Sequence, residues 1–126
     1  MNHIENSFSI HQSPPKEQLS ILLEHYQNGR FGEAEKLAVS ITQNFPKHQF
    51  AWKVLGAVLG LTGRKSEAVD ANQTAVALSP QDVEAHSNLG ITLQELGRLA
   101  EAEASYNEAI SLKPDYPDAY YNLANT

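Results

Sequence analysis

The sequence predicts an all-α fold, a solenoid of antiparallel helix pairs with about three complete pairs and the first helix of a truncated fourth. Three observations support this fold: a repeat period of 34 residues, a glycine inside each period, and leucines at helical spacing. The recurring positions are Gly29, Gly63 and Gly97; Arg30, Arg64 and Arg98; Glu33, Glu67 and Glu101; Ala34, Ala68 and Ala102; and Pro46, Pro80 and Pro114.

Each repeat divides into two helices at its glycine, because glycine accepts the left-handed backbone conformation that ends a helix. We expect first helices over about residues 16–28, 48–62 and 82–96, second helices over about 31–44, 65–78 and 99–112, and a last first helix from about 116 to 126. Ser13 with Pro14, and Ser79 with Pro80, resemble helix starts, the second supported by Asp82.

At 126 residues the chain is long enough for one domain. We expect an N-terminal tail over 1–13 and a repeat domain over 14–126, with units at about 15–48, 49–82 and 83–116 and a partial unit at 117–126.

The composition argues against several classes of function. A net charge of −6 with nine scattered Lys and Arg residues disfavours nucleic acid binding. Cysteine is absent, and no apolar stretch is long enough to span a membrane. The first residues lack a signal-peptide pattern, so we expect a cytoplasmic protein that does not bind membranes.

Catalytic and metal-binding patterns are also missing from the sequence. The five histidines are scattered without metal-ligand spacing, and neither a P-loop nor a nucleophile elbow occurs. We therefore expect no enzyme activity, no cofactor and no metal.

The third unit, AHSNLGITLQELGRLAEAEASYNEAISLKP, carries the strongest motif. It closely resembles the tetratricopeptide repeat (TPR), and the resemblance extends over about residues 15–126. The second unit has Asn72 where an aromatic is usual in this family, and the first has Leu22 and Ala38 in place of the glycine and the aromatic. The resemblance implies a right-handed superhelix whose first helices line a concave groove.

The third and fourth units look particularly like repeats of O-linked N-acetylglucosamine transferases and of bacterial multi-TPR proteins. In those transferases an asparagine ladder holds the backbone of a bound peptide. Asn88 and Asn122 match the ladder, whereas Ser20 and Val54 do not. The basic clamp that other members use for acidic chaperone tails is not matched either, so we expect such tails to be rejected.

The resemblance places one set of residues on the groove, from a mainly apolar end to an end rich in amides and acids. These candidate partner-binding residues are Leu19, Leu23, Tyr26, Phe50, Lys53, Val54, Leu61, Asn88, Ile91, Glu95, Tyr121 and Asn122. A partner peptide could occupy the groove. Alternatively, Phe8 and Ile10 of the tail, or a second copy, could cover its apolar end.

The last helix lacks the second helix that would cover it. We expect it to dock on the third unit and to leave a self-association surface at Tyr120, Tyr121 and Leu123. The chain is expected to be the N-terminal part of a longer protein, although closure against another copy is an alternative.

Three functions follow from this sequence. The first is a non-catalytic protein-protein interaction module that binds a peptide or protein segment in the groove. The second is the substrate-recognition arm of a larger transferase-type enzyme, and the third is a self-assembly module.

Overall fold

The computed structural model describes residues 13–126, which form a series of seven helices. In chain order they are α1 Lys16–Gln27, α2 Phe31–Asn44, α3 Gln49–Leu61, α4 Lys65–Leu78, α5 Val83–Glu95, α6 Leu99–Leu112 and α7 Pro117–Ala124. Each helix packs mainly against the next one along the chain, in sequential antiparallel pairs. The predicted all-α solenoid is confirmed. The expected N-terminal tail lies almost entirely outside the described residues.

The first helix of each complete pair ends at a glycine in the left-handed conformation. Gly29, Gly63 and Gly97 have φ angles of 73°, 84° and 78°. The amide of the residue after each glycine then donates to a carbonyl in the last turn, as Arg64 N does to Leu59 O at 2.9 Å. The predicted role of these glycines is confirmed.

The predicted helix starts at Ser13–Pro14 and Ser79–Pro80 were wrong. Pro15 precedes α1 without a side-chain cap, and Ser79 follows the last residue of α4. The cap of α5 is Asp82, whose Oδ1 accepts a hydrogen bond from the amide of Ala85 at 3.1 Å. Asp82 stands directly before the first turn of α5, so its carboxylate also lies at the positive end of the helix.

Small residues allow the paired helices to approach closely. Ala34, Ala68 and Ala102 occupy the same place in successive units, and each has no exposed surface. One core cluster joins the first and second pairs, and another surrounds Leu89, Leu93 and Tyr106. Within residues 13–126, none of the helices is both long and apolar enough to cross a membrane.

A contact that repeats after 34 residues ties the first turn of two first helices to the preceding loop. The indole Nε1 of Trp52 donates to the carbonyl of Pro46 at 2.8 Å, and Nε2 of His86 lies 2.8 Å from the carbonyl of Pro80. Since a carbonyl oxygen only accepts, the His86 tautomer in this contact carries its proton on Nε2. Histidine thus reproduces, one period later, the contact made by tryptophan.

Candidate functional site

The first helices form one continuous surface, which we call the first-helix face. Helices α1 and α3, α3 and α5, and α5 and α7 contact one another, although a second helix intervenes between them in sequence. Exposed apolar side chains lie on this face, including Leu61, which is 60% exposed, and Ile91, which is 38% exposed. The face therefore offers apolar surface that a partner could cover.

A pocket of about 220 Å³ opens on the first-helix face between α3 and α5. Helix α4 contributes Asn72 to the lining, and α1 contributes Tyr26. The lining residues are Tyr26, Gly56, Ala57, Gly60, Leu61, Asn72, Asn88, Ile91, Thr92 and Glu95. This "α3–α5 pocket" combines apolar walls with amide and hydroxyl groups.

In the first and third units, one large residue packs at the position that corresponds to the α3–α5 pocket. In the third unit Gly90 on α5 faces Tyr106 on α6, and a Cβ atom on Gly90 would lie 2.5 Å from the Tyr106 ring. In the first unit the sizes are reversed, with Leu22 on α1 and Ala38 on α2, both fully buried. One large side chain, Leu22 in the first unit and Tyr106 in the third, therefore fills the space between the two facing helices.

The second unit has a small residue on both sides. Gly56 on α3 faces Asn72 on α4, and a Cβ on Gly56 would lie 2.0 Å from Asn72 Oδ1. Asn72 is much shorter than the tyrosine that stands one period later. The space that a ring would fill is consequently left to the α3–α5 pocket.

The floor of the pocket is a short hydrogen-bonded chain. Asn72, which is 2% exposed, donates from Nδ2 to the Thr92 hydroxyl at 3.2 Å, and that hydroxyl donates to the carbonyl of Asn88 at 3.0 Å. Among residues 13–126, Asn72 Oδ1 accepts no hydrogen bond. The floor therefore presents a neutral acceptor, Asn72 Oδ1, to a pocket with both apolar and polar walls.

Charged residues near the pocket are paired within the chain. Lys53 lies 2.7 Å from Glu84 and 3.0 Å from Asp82, and Lys65 lies 3.1 Å from Glu95. Burial disfavours the charged form of Lys53, but its hydrogen bonds to Glu84 and Asp82 outweigh burial and raise its pKa. These cations and anions thus largely offset one another.

The structure brings five of the predicted groove residues together in the α3–α5 pocket: Tyr26, Leu61, Asn88, Ile91 and Glu95. The others lie outside it. Leu23 and Tyr121 are exposed, Asn122 and Lys53 are half-buried, and Leu19 and Phe50 pack against the first core cluster.

Val54 is not available to a partner. It is 5% exposed and belongs to the first core cluster, so its selection as a groove residue was wrong. Its side chain faces the neighbouring helices because it shares an i, i+4 stripe with the buried residue Val58.

The self-association residues divide into two kinds. Tyr120 and Tyr121 are 48% and 71% exposed, whereas Leu123 is half-buried against the core cluster around Leu93. Leu123 therefore helps to dock α7, and its part in a self-association surface stays a prediction. The side-chain amide of Gln94 on α5 also donates to the carbonyl of Asn125, directly after α7, at 3.1 Å, which further ties α7 to the third unit.

Sequence reasoning missed the floor of the pocket. Asn72 and Thr92 were not selected, although Asn72 stands where the third unit has Tyr106. Because the small Asn72 replaces a large residue opposite Gly56, the sequence did contain an indication of the pocket. Within residues 13–126, no three His, Asp or Glu side chains group together in a way that could hold a metal ion.

Comparisons with known proteins agree with this architecture. Tetratricopeptide repeat models match residues 19–83 and 71–104, and a TPR repeat model matches 93–126. The chain belongs to the tetratricopeptide repeat family.

One curated relative is the peroxisomal targeting signal receptor of Kluyveromyces lactis. It is 30% identical over 87 residues, which are 69% of this chain but 15% of the receptor. The matched part of this chain therefore corresponds to less than a sixth of the length of that relative.

Several solved structures have the same fold. MamA is 24% identical with a TM-score of 0.84, over 87% of this chain and 64% of that one. The first TPR of Spaghetti, bound to an HSP90 peptide, is 19% identical with a TM-score of 0.84, over 90% and 92% of the two chains. An O-GlcNAc transferase of Thermobaculum terrenum is 27% identical with a TM-score of 0.77, over 89% of this chain and 22% of that one.

Proposed function

We propose that this chain is a non-catalytic interaction module that binds an extended peptide or protein segment along the first-helix face, the concave groove of the family. The observation that carries the proposal is the α3–α5 pocket, where exposed Leu61 and Ile91 lie beside the Asn88 amide. Apolar side chains of a partner would bury area there, while amides would satisfy its backbone. We also propose that the protein is cytoplasmic and that residues 14–126 form one domain.

The relatives support binding of this type without naming the partner. The Spaghetti domain holds an HSP90 peptide. The family resemblance places Leu19, Leu23 and Glu84 where other members have the basic clamp for acidic tails, and Lys53 is already paired with two carboxylates. We therefore propose a partner segment that is neutral or basic and partly apolar, in place of an acidic tail.

The test is selection of peptides from a random library displayed on phage. The parent chain is expected to enrich a set of related peptides, and Leu61→Lys is expected to weaken their binding at least about tenfold, because it places a charge in the apolar contact. Leu99→Lys is the matched control, since Leu99 is also exposed, at 47%, but lies on second helix α6. Failure of the parent to enrich any peptide, or equal losses in both variants, would contradict the proposal.

A substrate-recognition arm of a larger enzyme is the second candidate. It is favoured by the likeness to the O-GlcNAc transferase, of which this chain covers 22%. Sequencing of the complete reading frame tests it, because an adjoining transferase domain is required and its absence would exclude this role.

A further inference from the structure

We infer that the α3–α5 pocket is a receptor for a tyrosine side chain of the partner segment, with the phenol hydroxyl donating to Asn72 Oδ1. This inference rests on the proposed function, because it names the residue that anchors the bound peptide. It follows from the shape of the pocket, the chemistry of its floor and the charges at its rim.

Shape is the first argument. The third unit shows what fits between a helix glycine and the next helix, since the Tyr106 ring lies directly on Gly90. The second unit keeps the glycine, Gly56, but replaces the ring with Asn72. A pocket of about 220 Å³ results, and it opens to the first-helix face, from which a partner's ring can enter.

The floor chemistry favours a hydrogen-bond donor on that ring. Asn72 is 2% exposed and, within the described chain, its Nδ2 is engaged by Thr92 while Oδ1 is left as an acceptor. The Thr92 hydroxyl proton is engaged by the Asn88 carbonyl. A phenylalanine would leave the Asn72 acceptor dry and unpaired, whereas the hydroxyl of tyrosine would satisfy it.

Charge argues against lysine or arginine as the anchor. The carboxylate at the rim, Glu95, is already paired with Lys65 at 3.1 Å. The floor itself carries only neutral groups. A cation in the pocket would lose hydration without gaining an unpaired opposite charge, so a neutral side chain fits better.

The experiment uses short peptides selected on the parent chain from a random library. Peptides with a tyrosine anchor are expected to dominate, and changing that tyrosine to phenylalanine is expected to weaken binding about two- to tenfold. In nuclear magnetic resonance spectra, the side-chain amide signals of Asn72 are expected to shift with the tyrosine peptide and to shift less with its phenylalanine version.

The decisive variant is Asn72→Phe, which fills the pocket from within the protein. Phenylalanine is preferred to tyrosine there, because Gly60 stands where Gln94 accepts the Tyr106 hydroxyl in the third unit. The variant is expected to lower affinity for the tyrosine peptides at least about tenfold while its melting temperature holds or rises. Gln73→Phe, at an exposed position of the same helix, is the control and is expected to leave affinity unchanged.

A second variant covers the case in which Asn72→Phe does not fold. The methyl group of Gly60→Ala would meet only Thr92 Oγ1 at 3.9 Å and Ala68 Cβ at 4.0 Å, which are ordinary contacts. This variant narrows the pocket without a clash, and a loss of affinity of about two- to fivefold is expected.

The outcomes separate the two proposals. Peptides that lose affinity with Leu61→Lys but bind Asn72→Phe and Gly60→Ala like the parent would overturn the tyrosine pocket and leave groove binding intact. Equal selection of phenylalanine, or selection of lysine or arginine at the anchor, would overturn the assignment of tyrosine. No selected peptide at all would overturn both proposals.

Discussion

The ring of Tyr106 lies against the α-carbon of Gly90, where an added Cβ atom would come within 2.5 Å of Cε1, 2.7 Å of Cδ1 and 2.9 Å of Cζ. The ring is fully buried, and its hydroxyl donates to Gln94 Oε1 at 2.8 Å. Burial, with the nearby charge of Glu95, raises the pKa of Tyr106 to about 12. Only glycine leaves room for this ring at position 90 of α5. Burial of the ring also favours the neutral form of the Tyr106 hydroxyl.

Gly90→Ala is expected to destabilise the chain by about 2–4 kcal/mol, because the ring is held at both ends and cannot move away without breaking packing. Chemical denaturation monitored by circular dichroism measures this loss. Gly60→Ala is the matched control, as it adds the same methyl group to a first helix with no close contact and is expected to stabilise by up to about 1 kcal/mol. Equal effects of the two substitutions would contradict the Gly90–Tyr106 contact.

Gly56→Ala is expected to cost less than Gly90→Ala, about 1–2 kcal/mol, although its Cβ would come closer to its neighbour, at 2.0 Å from Asn72 Oδ1. The closest atoms in the way, Oδ1 and Cγ of Asn72, belong to a short side chain, and the α3–α5 pocket beside it gives that side chain room to turn. The same denaturation measurement checks the order. A larger loss for Gly56→Ala than for Gly90→Ala would show that Asn72 is fixed.

The pairs Gly90–Tyr106 and Gly56–Asn72 show which features of the structure the sequence alone could predict. The 34-residue period predicted the helix pairs and the glycine ends, because both depend on local backbone chemistry. It could not predict that Val54 is buried while Leu61 is exposed, since both lie on first helices and their burial depends on how neighbouring units pack. The pocket required two facing residues to be considered together, Gly56 with Asn72, and single-position reasoning did not do this.

Asp82 links two first helices and gives the chain a dependence on pH. It caps α5 through the amide of Ala85 and also accepts hydrogen bonds from Gln49 at 2.9 Å and Lys53 at 3.0 Å on α3. Burial alone would raise its pKa, but the bonds from Lys53, Ala85 and Gln49 outweigh burial and lower the pKa below 3.8. A lowered folded-state pKa gives stability that is complete above 3.8 and is lost as the pH falls through the folded value.

The test compares the parent with Asp82→Asn and Asp82→Ala over a range of pH. Asp82→Ala is expected to lose about 1–2 kcal/mol at pH 7, because the cap disappears, while Asp82→Asn keeps a capping side chain and loses less. The advantage of the parent over Asp82→Asn is expected to shrink as the pH falls below 3.8. An advantage that is constant down to acid pH would contradict the ion pair.

In α7, the residue that docks the helix and the residues proposed for self-association lie within a few positions of one another. Leu123 is half-buried on the cluster that contains Leu93, while Tyr121, two residues earlier, is 71% exposed. Leu123→Ala is expected to destabilise the chain by about 1–2 kcal/mol and to reduce helix content at the C-terminal end, because α7 has only eight residues and depends on packing.

Tyr121→Ser is expected to leave the melting temperature within about 1 °C of the parent, since an exposed side chain contributes little to stability. If Tyr120 and Tyr121 form a contact between copies, sedimentation velocity will show the parent's average mass rising with concentration and the Tyr121→Ser mass staying at that of one chain. Leu123→Ala separates the two effects, because its destabilisation is expected at every concentration. A parent that sediments as one chain throughout would contradict self-association while leaving the docking role of Leu123 in place.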